Sequence, residues 1–313
     1  MSELLSVVIP AYNEKENIPL IYQEVNSTFK NLPNYTSELL FVDDGSSDGT
    51  SEVLKDLSKK DPSVKFLCFS RNFGKEIATS AGLHYANGKA AIVMDADLQH
   101  PPALIPEFIS KWKDGAEVVI GLRKKNENEG LVKKYGSIIF YKIMNRISEM
   151  PIIPCTTDFR LIDRKVIDVF CQLTERNRMT RGLIDWLGFK RDFVHFEAPA
   201  RVNGEASYSY RKLLRLALNS FVSHSLFPLR LAGYLGGFIT VVSALTWLFV
   251  VVEKYVLNDP WHLLFSGTAV LALLILFLVG IILSCFGLVA MYIANIHNEV
   301  LNRPLYIVSD KNF

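Results

Sequence analysis

AAIVMDADLQHPP, residues 90–102, joins a short apolar run to two aspartates, Asp95 and Asp97, and stops at a pair of prolines. A run of this length and composition, bounded by turn residues, reads as a buried strand. Asp95 and Asp97 leave it at i and i+2 and point to one side, with the small Ala96 between them. Outward from this stretch, similar β-branched and aromatic runs recur at 4–9, 38–42, 65–70 and 117–121. Helix-compatible segments fill the gaps at 14–29, 50–59, 75–86 and 102–113. The alternation predicts an α/β fold, a mostly parallel sheet with helices on both faces. Such sheets bind ligands beyond the carboxyl ends of their strands. The unusual residues of this chain fall there.

After the first run comes Pro10-Ala11-Tyr12-Asn13-Glu14, where Asn13 is placed to cap a helix that Glu14 begins. After the second comes Asp43-Asp44-Gly45-Ser46-Ser47-Asp48-Gly49-Thr50. A well-made turn accounts for its glycines and serines, but not for two adjacent acids at the end of a buried strand. The Asp95–Asp97 pair, at i and i+2, is repulsive unless a cation binds it. An all-oxygen set suits Mg²⁺ or Mn²⁺ carrying a diphosphate.

The chain has 313 residues, with 34 Lys and Arg against 32 Asp and Glu, for a net charge of +2. That balance excludes a nucleic-acid binder working by bulk electrostatics, and 50% hydrophobic residues exclude global disorder. Cys68, Cys155, Cys171 and Cys285 stand far apart with no CxxC pair, against a zinc site or a disulfide framework. The start, MSELLSVVIPAYNE, lacks the pattern of a signal peptide. Mean hydropathy is +0.20, and the apolar excess sits near the C-terminus. Residues 231–252 carry no charge and would span about 33 Å as a helix, enough for a bilayer core. A short polar piece, 253–260, is followed by 261–298, which is free of Asp, Glu, Lys and Arg. This reads as a transmembrane hairpin. Arg211, Lys212, Arg215 and Arg230 precede it without an acid, which puts residues 1–228 and the tail after 298 in the cytoplasm. Residues 210–227, basic and apolar, read as an interfacial helix against anionic lipid, or as an amphipathic core helix. The expected organisation is a cytoplasmic domain over 1–205, an interfacial segment over 206–228, two spans over 229–298 and a cytoplasmic tail over 299–313. Gly233, Gly236 and Gly237 permit close helix contact, either within the hairpin or between copies in a homo-oligomer.

SVVIPAYNE, VDDGSSDGT, RNFGKEIATSAG and MDADLQHPP, in this order, resemble the family 2 inverting glycosyltransferases of GT-A (Rossmann-like) fold. TTDFRLIDR at 156–164, RVNGEASYSYRKLL and the two-span tail are similar to the polyprenyl-phosphate branch, which includes dolichol-phosphate mannosyltransferase and the bactoprenol glucosyltransferases. The resemblance implies that Pro10, Tyr12, Glu14, Val42 and Asp44 hold the nucleoside. It gives Asp95, Ala96, Asp97 and Gln99 to the diphosphate, with Asp95, Asp97 and Gln99 at the metal. Arg123 and Arg201 are implied to contact phosphates, Ser207 to lie in the nucleotide-binding set, and Asp158 to lie near the sugar, with Asp158, Asp97 and Arg123 as the catalytic residues. The family pattern R-x-x-G-x-S-K-Y departs here, because Ala206 and Ser207 stand where Ser and Lys are usual. Either Arg211 or Lys212 substitutes for that lysine, or nucleotide affinity is lower, or this chain carries a change there. Lys75 reads equally as a pocket residue and as a solvated helix-start lysine. Arg123-Lys124-Lys125 and Lys133-Lys134 read either as a solvated basic loop or as a collector of the anionic head group.

The implied reaction moves a hexose, glucose from UDP-glucose first, from a nucleotide-sugar donor to a polyprenyl phosphate at the membrane, with Mg²⁺ or Mn²⁺ as cofactor. GDP-mannose and an aminoarabinose nucleotide are the alternative donors. A phosphate acceptor is already ionised, so Asp158 is expected to position a reactant and not to act as an obligatory base. A processive synthase would need more spans and a Q-x-x-R-W motif. A non-catalytic membrane scaffold is argued against by the intact Asp95-Ala96-Asp97 with Gln99.

Overall fold

The computed structural model describes residues 2–123, 156–176, 178–197, 245, 252 and 267–313. The chain divides into two compact units. The first comprises Met1–Ile139, Ile152–Ser207 and Arg303–Phe313, and the second Phe140–Pro151 and Tyr208–Asn302.

The first unit begins with β1 (Glu3–Ala11), α1 (Asn17–Lys30), β2 (Tyr35–Asp43), α2 (Thr50–Lys60) and β3 (Val64–Phe69). Then come α3 (Lys75–Tyr85), β4 (Ala90–Val93), a 3₁₀ turn (Pro102–Leu104) leading into α4 (Ile105–Lys113), and β5 (Val118–Arg123). Past residue 155 follow β6 (Thr156–Asp163), α5 (Arg164–Phe170), α6 (Thr180–Trp186) and β7 (Arg191–Phe196), and the chain ends in β8 (Val308–Lys311). The eight strands of the described residues form one sheet, in the order β7-β5-β6-β4-β1-β2-β3-β8. β1 pairs in parallel with β2 and β4, β2 with β3, and β5 with β7. β6 runs antiparallel to β4 and β5, and β8 antiparallel to β3. The sheet is therefore mixed, with six strands sharing one direction and β6 and β8 reversed.

Side-chain alternation along the strands explains why both faces are covered. Leu5, Val7 and Ile9 of β1, with Leu39 and Phe41 of β2, pack against Ile18, Ile21 and Val25 of α1 and Phe108 of α4. Val8, Leu40 and Val42 face the other way, onto Ala78 and Ala81 of α3, Val166 and Phe170 of α5 and Ile184 of α6. α3 lies so close to β1 that a Cβ on Gly82 would overlap Val8 Cγ1, an approach open to glycine alone.

Two expectations change. α1 starts at Asn17, not at Glu14, and Asn13 does not cap it. Asn13 adopts a left-handed φ of 56°; its N–H donates to Ser46 Oγ and its Oδ1 accepts from Ser47 N, both at 2.9 Å. Glu14 N donates to Thr50 Oγ1 (3.0 Å) and Lys15 N to Asp48 Oδ2 (3.1 Å). Residues 13–15 spend their backbone donors on the β2–α2 turn, so no helical turn forms there. The second change concerns the tail. Its last residues add an edge strand to the sheet: Asn312 Oδ1 accepts from Phe66 N (2.8 Å), Asn312 Nδ2 donates to Val64 O (3.0 Å), and Tyr306 stacks on Phe69 with ring centroids 4.9 Å apart. Lys55 and Asp310 pair at 2.8 Å across the same edge.

In the second unit, α7 (Gly267–Val300) is a helix of 34 residues with no Asp, Glu, Lys or Arg before Glu299. Many of its side chains lie outside the described set, and over the described residues no helix is long and apolar enough to cross a membrane. The first expected span lies outside the described residues except at positions 245 and 252, as does the whole interfacial segment.

Candidate active site

The carboxyl ends of β1 and β2 are neighbours in register, Pro10 opposite Val42 and Ala11 opposite Asp43. Pro10 and Val42 are buried, Glu14 is half-buried, and Tyr12 is 48% exposed at the rim. The acid pair that follows β2 is built into the fold. Asp43 Oδ1 accepts from Ser46 N (3.0 Å) and Ser46 Oγ (2.5 Å), and its Oδ2 accepts from Ser51 Oγ. Asp44, also buried, accepts from Phe73 N (2.6 Å) and Gly74 N (2.9 Å). Burial, aided by Asp43, pushes the Asp44 carboxyl up despite those two donors. The doubled acid thus works as a clasp. Asp44 fixes the turn in which Gly74 takes a φ of 104° and from which α3 departs, with Lys75 as its first residue.

After β4 the chain makes a tight loop. Leu98 sits in the left-handed region at φ 61°, a costly conformation for a branched, buried side chain and one that gathers at functional sites. It turns the backbone so that Gln99 N donates to Asp97 Oδ1 (3.1 Å). His100 closes the loop: its Nδ1 accepts from Asp95 N (2.9 Å), and its ring stacks on Phe159 with centroids 5.2 Å apart. Burial lowers its pKa, so the ring stays neutral, as an accepting Nδ1 requires.

Because β6 is antiparallel to β4, its amino-terminal end reaches the carboxyl ends of the parallel strands. Arg160 lies opposite Val93 in register, so Asp158, two residues earlier, comes level with the residues that leave β4. Lys75 joins the two sides, its Nζ lying 2.6 Å from Asp95 Oδ1 and 2.8 Å from Asp158 Oδ2. Arg181 Nε stands 3.5 Å from Asp158 Oδ1. Burial works against the Asp158 carboxylate, but Lys75, Arg181 and Arg160 outweigh it and hold its pKa at about 2. Arg160, 2% exposed, donates to Asp185 Oδ1 (3.0 Å) and Thr157 O (3.2 Å), tying β6 to α6. Glu76 Oε2 accepts from Thr180 N (2.8 Å), locking α6 to α3. Lys75, Asp158, Arg160, Thr180 and Arg181 border a recess of about 10 Å³, room for about one water.

Of the expected site residues, Asp95, Ala96, Asp97 and Gln99 lie together in the loop after β4, and Asp158 faces them from β6. Arg123 ends β5 beside the start of β6, half-buried. Arg201, Ser207 and the basic loop beyond Arg123 lie outside the described residues. Lys75 belongs to the pocket, which decides between its two readings. His100, Arg160 and Arg181 were not singled out in the sequence. His100 directly follows Gln99 and could have been flagged by its place in the loop; the two arginines carry no local signal.

The donor set suits a hard divalent cation. Among the described residues, no group of three or more His, Cys, Asp or Glu is gathered that could hold a metal by itself. Mg²⁺ and Mn²⁺ seldom need such a cage when substrate phosphates complete the shell. Asp95 Oδ1 is buried and receives no well-directed hydrogen bond among the described residues, and the Asp97 carboxylate stands two residues on. These oxygens fit the cation.

The glycosyl transferase family 2 model matches residues 6–170. An uncharacterised glycosyltransferase of Synechocystis is 40% identical over 306 residues, covering 98% of this chain and 95% of its own. A prophage-derived bactoprenol glucosyl transferase of Shigella flexneri is 39% identical over 304 residues, covering 97% of each. Among solved structures, mannosyl-3-phosphoglycerate synthase from Rubrobacter xylanophilus superposes with a TM-score of 0.50 at 18% identity, over 69% of this chain and 70% of its own. That likeness concerns the fold, which is the mixed α/β sheet of the GT-A enzymes. On the family match and on relatives aligned from end to end, the chain belongs to glycosyltransferase family 2.

Proposed function

We propose that this chain is a membrane-bound inverting hexosyltransferase that moves glucose from UDP-glucose onto undecaprenyl phosphate at the cytoplasmic face of a membrane. The observation that carries the reading is the clamped acid cluster, in which Asp158 is held ionised by Lys75, Arg181 and Arg160 beside Asp95 at the strand ends. A carboxylate with a pKa of about 2 is a poor base at neutral pH. That suits an acceptor that brings its own charge: a phosphate monoester has a second pKa near 6 and attacks without losing a proton to the protein. Asp158 then accepts hydrogen bonds from the sugar and fixes its orientation. Pro10, Tyr12, Glu14, Val42 and Asp44 border the nucleoside, and Arg123 and Arg201 supply planar donors to phosphate oxygens. A divalent cation on Asp95 and Asp97, with Gln99 adjoining, would neutralise charge on the departing nucleoside diphosphate. A single in-line displacement inverts the anomeric centre.

The bactoprenol acceptor and the glucosyl group are read from the name of the Shigella relative, aligned over 97% of each chain; UDP as the nucleotide is part of the proposal. Support for the hairpin comes from the tail. β8 pairs with β3, so residues 308–311 stay on the same side of any membrane as the sheet. The intervening chain then crosses an even number of times, as a hairpin does. α7, at 34 residues, would be about 51 Å long, more than one crossing needs. The basic residues before the first span favour the cytoplasmic side.

Purified protein tested with radiolabelled UDP- and GDP-sugars against undecaprenyl phosphate decides the donor. UDP-glucose is expected to label the lipid fastest. Faster transfer from GDP-mannose would replace the donor, and no transfer from any nucleotide sugar would remove the reading.

A further inference from the structure

Lys75 stands where two demands on one oxygen meet. Its ammonium lies 2.6 Å from Asp95 Oδ1, the same buried atom that suits a metal ion, and 2.8 Å from Asp158 Oδ2. Mg²⁺ binds a carboxylate oxygen at about 2.0–2.1 Å. An ammonium on the same oxygen would then face it at little more than contact distance, with like charge. Each cation therefore weakens the other's hold on Asp95 Oδ1.

The two acids differ in what remains if the ammonium leaves. Asp158 keeps Arg181 at 3.5 Å and the nearby charge of Arg160. Among the described residues Asp95 pairs with Lys75, while the His100 Nδ1 that lies 3.9 Å from its carboxylate already accepts from Asp95 N. Asp95 would therefore pass from one cation to the other, whereas Asp158 stays compensated throughout. The side chain of Lys75 can make this move. It is 46% exposed, its four-carbon stem is flexible, and its backbone is anchored through Gly74 and Phe73 to Asp44.

We propose that Lys75 is the resident counter-ion of the acid cluster, bridging Asp95 and Asp158 until a divalent cation displaces its ammonium from Asp95. The inference rests on the metal–diphosphate reading above. It adds an order to binding: a free cation meets a defended site, while a cation arriving with a nucleoside diphosphate brings phosphate oxygens to which the displaced ammonium can turn. Cation and nucleotide then bind with positive coupling, and by linkage each strengthens the other equally. Lys75 is in this sense a positioning residue whose signature is metal affinity.

The test is Mn²⁺ binding to the full-length protein in detergent micelles, read as loss of the free Mn²⁺ EPR signal, with and without UDP. Wild type, Lys75→Met, Lys75→Gln and Asp95→Asn are compared, each with its melting temperature to verify folding. Without UDP, Lys75→Met and Lys75→Gln are expected to bind Mn²⁺ about tenfold more tightly than wild type, and UDP to add less affinity in them than in wild type. Unchanged or weaker Mn²⁺ binding in both folded lysine variants overturns this inference alone. Mn²⁺ binding that Asp95→Asn leaves intact overturns the metal reading, and this inference with it.

Discussion

Replacing Asp158 with Asn removes one charge from the most crowded point of the site and leaves shape and one acceptor oxygen in place. Lys75 Nζ lies 2.8 Å from its Oδ2; at an effective dielectric of ~20, unit charges at that distance attract by about 6 kcal/mol. Burial takes back most of this, and the balance appears as a carboxyl lowered from 3.8 to about 2, or about 2 kcal/mol of stability. Because the folded pKa is the lower one, that stabilisation is complete above pH 3.8 and is lost as pH falls through about 2. At neutral pH, Asp158→Asn is therefore expected to lower the melting temperature by ~4–8 °C and to flatten the acid limb of the unfolding curve. Turnover is expected to fall ~10²-fold through misplacement of the sugar. The assay is the initial rate of transfer from labelled UDP-glucose to undecaprenyl phosphate between pH 5 and pH 9. An acid limb near pH 6, set by the second ionisation of the acceptor phosphate, should appear in wild type and variant alike. A limb present in wild type and missing in the Asn variant would assign that ionisation to Asp158 and refute the positioning role.

Three further outcomes follow from the packing. Glu38 is buried and accepts from Ser6 Oγ, Lys65 Nζ and Asn87 N, each at 2.5 Å; Glu38→Ala should cost about 3 kcal/mol in urea unfolding, and an unchanged midpoint would contradict the account of that cluster. Gly82→Ala forces α3 off Val8, so it should cost ~1–3 kcal/mol and slow transfer, because the same helix begins with Lys75; normal turnover would show that α3 need not sit so close. Truncation after residue 302 strips β8 from β3 and bares a strand edge. A lower melting temperature and further association by light scattering are expected, and an unaltered melting temperature and particle size would reduce the tail to an appendage.

Much of the sheet was legible because each strand is a short apolar run flanked by turn chemistry. The five expected runs became β1 to β5, with ends shifted by a few residues. β6 escaped as a strand because TTDFRLID mixes charge into the run; the carboxylate that compensates buried Arg160 is Asp185, a partner on α6 and distant in sequence. β8 escaped because VSDK is polar and is held by partners distant in sequence: β3, the Asn312 bonds and the Lys55–Asp310 pair. The acidic turn at 43–44 was legible as unusual, and part of its reason is structural: backbone and hydroxyl donors supplied by 46, 51, 73 and 74 compensate both carboxylates. Asp95, Asp97 and Asp158 were legible as types and positions. What joins them is not, since Lys75 meets Asp158 across 83 residues of chain and only the reversed direction of β6 brings the two together.

On the proposed function, oxygens of Asp95 and Asp97, at the carboxyl end of β4, drive sugar transfer to a lipid phosphate. Its most direct test is the transfer of label from UDP-glucose to undecaprenyl phosphate, with added Mn²⁺, by purified wild type and by folded Asp97→Ala. The account predicts a labelled lipid from wild type and at least a hundredfold slower formation from the variant; equal rates from the two proteins would contradict it.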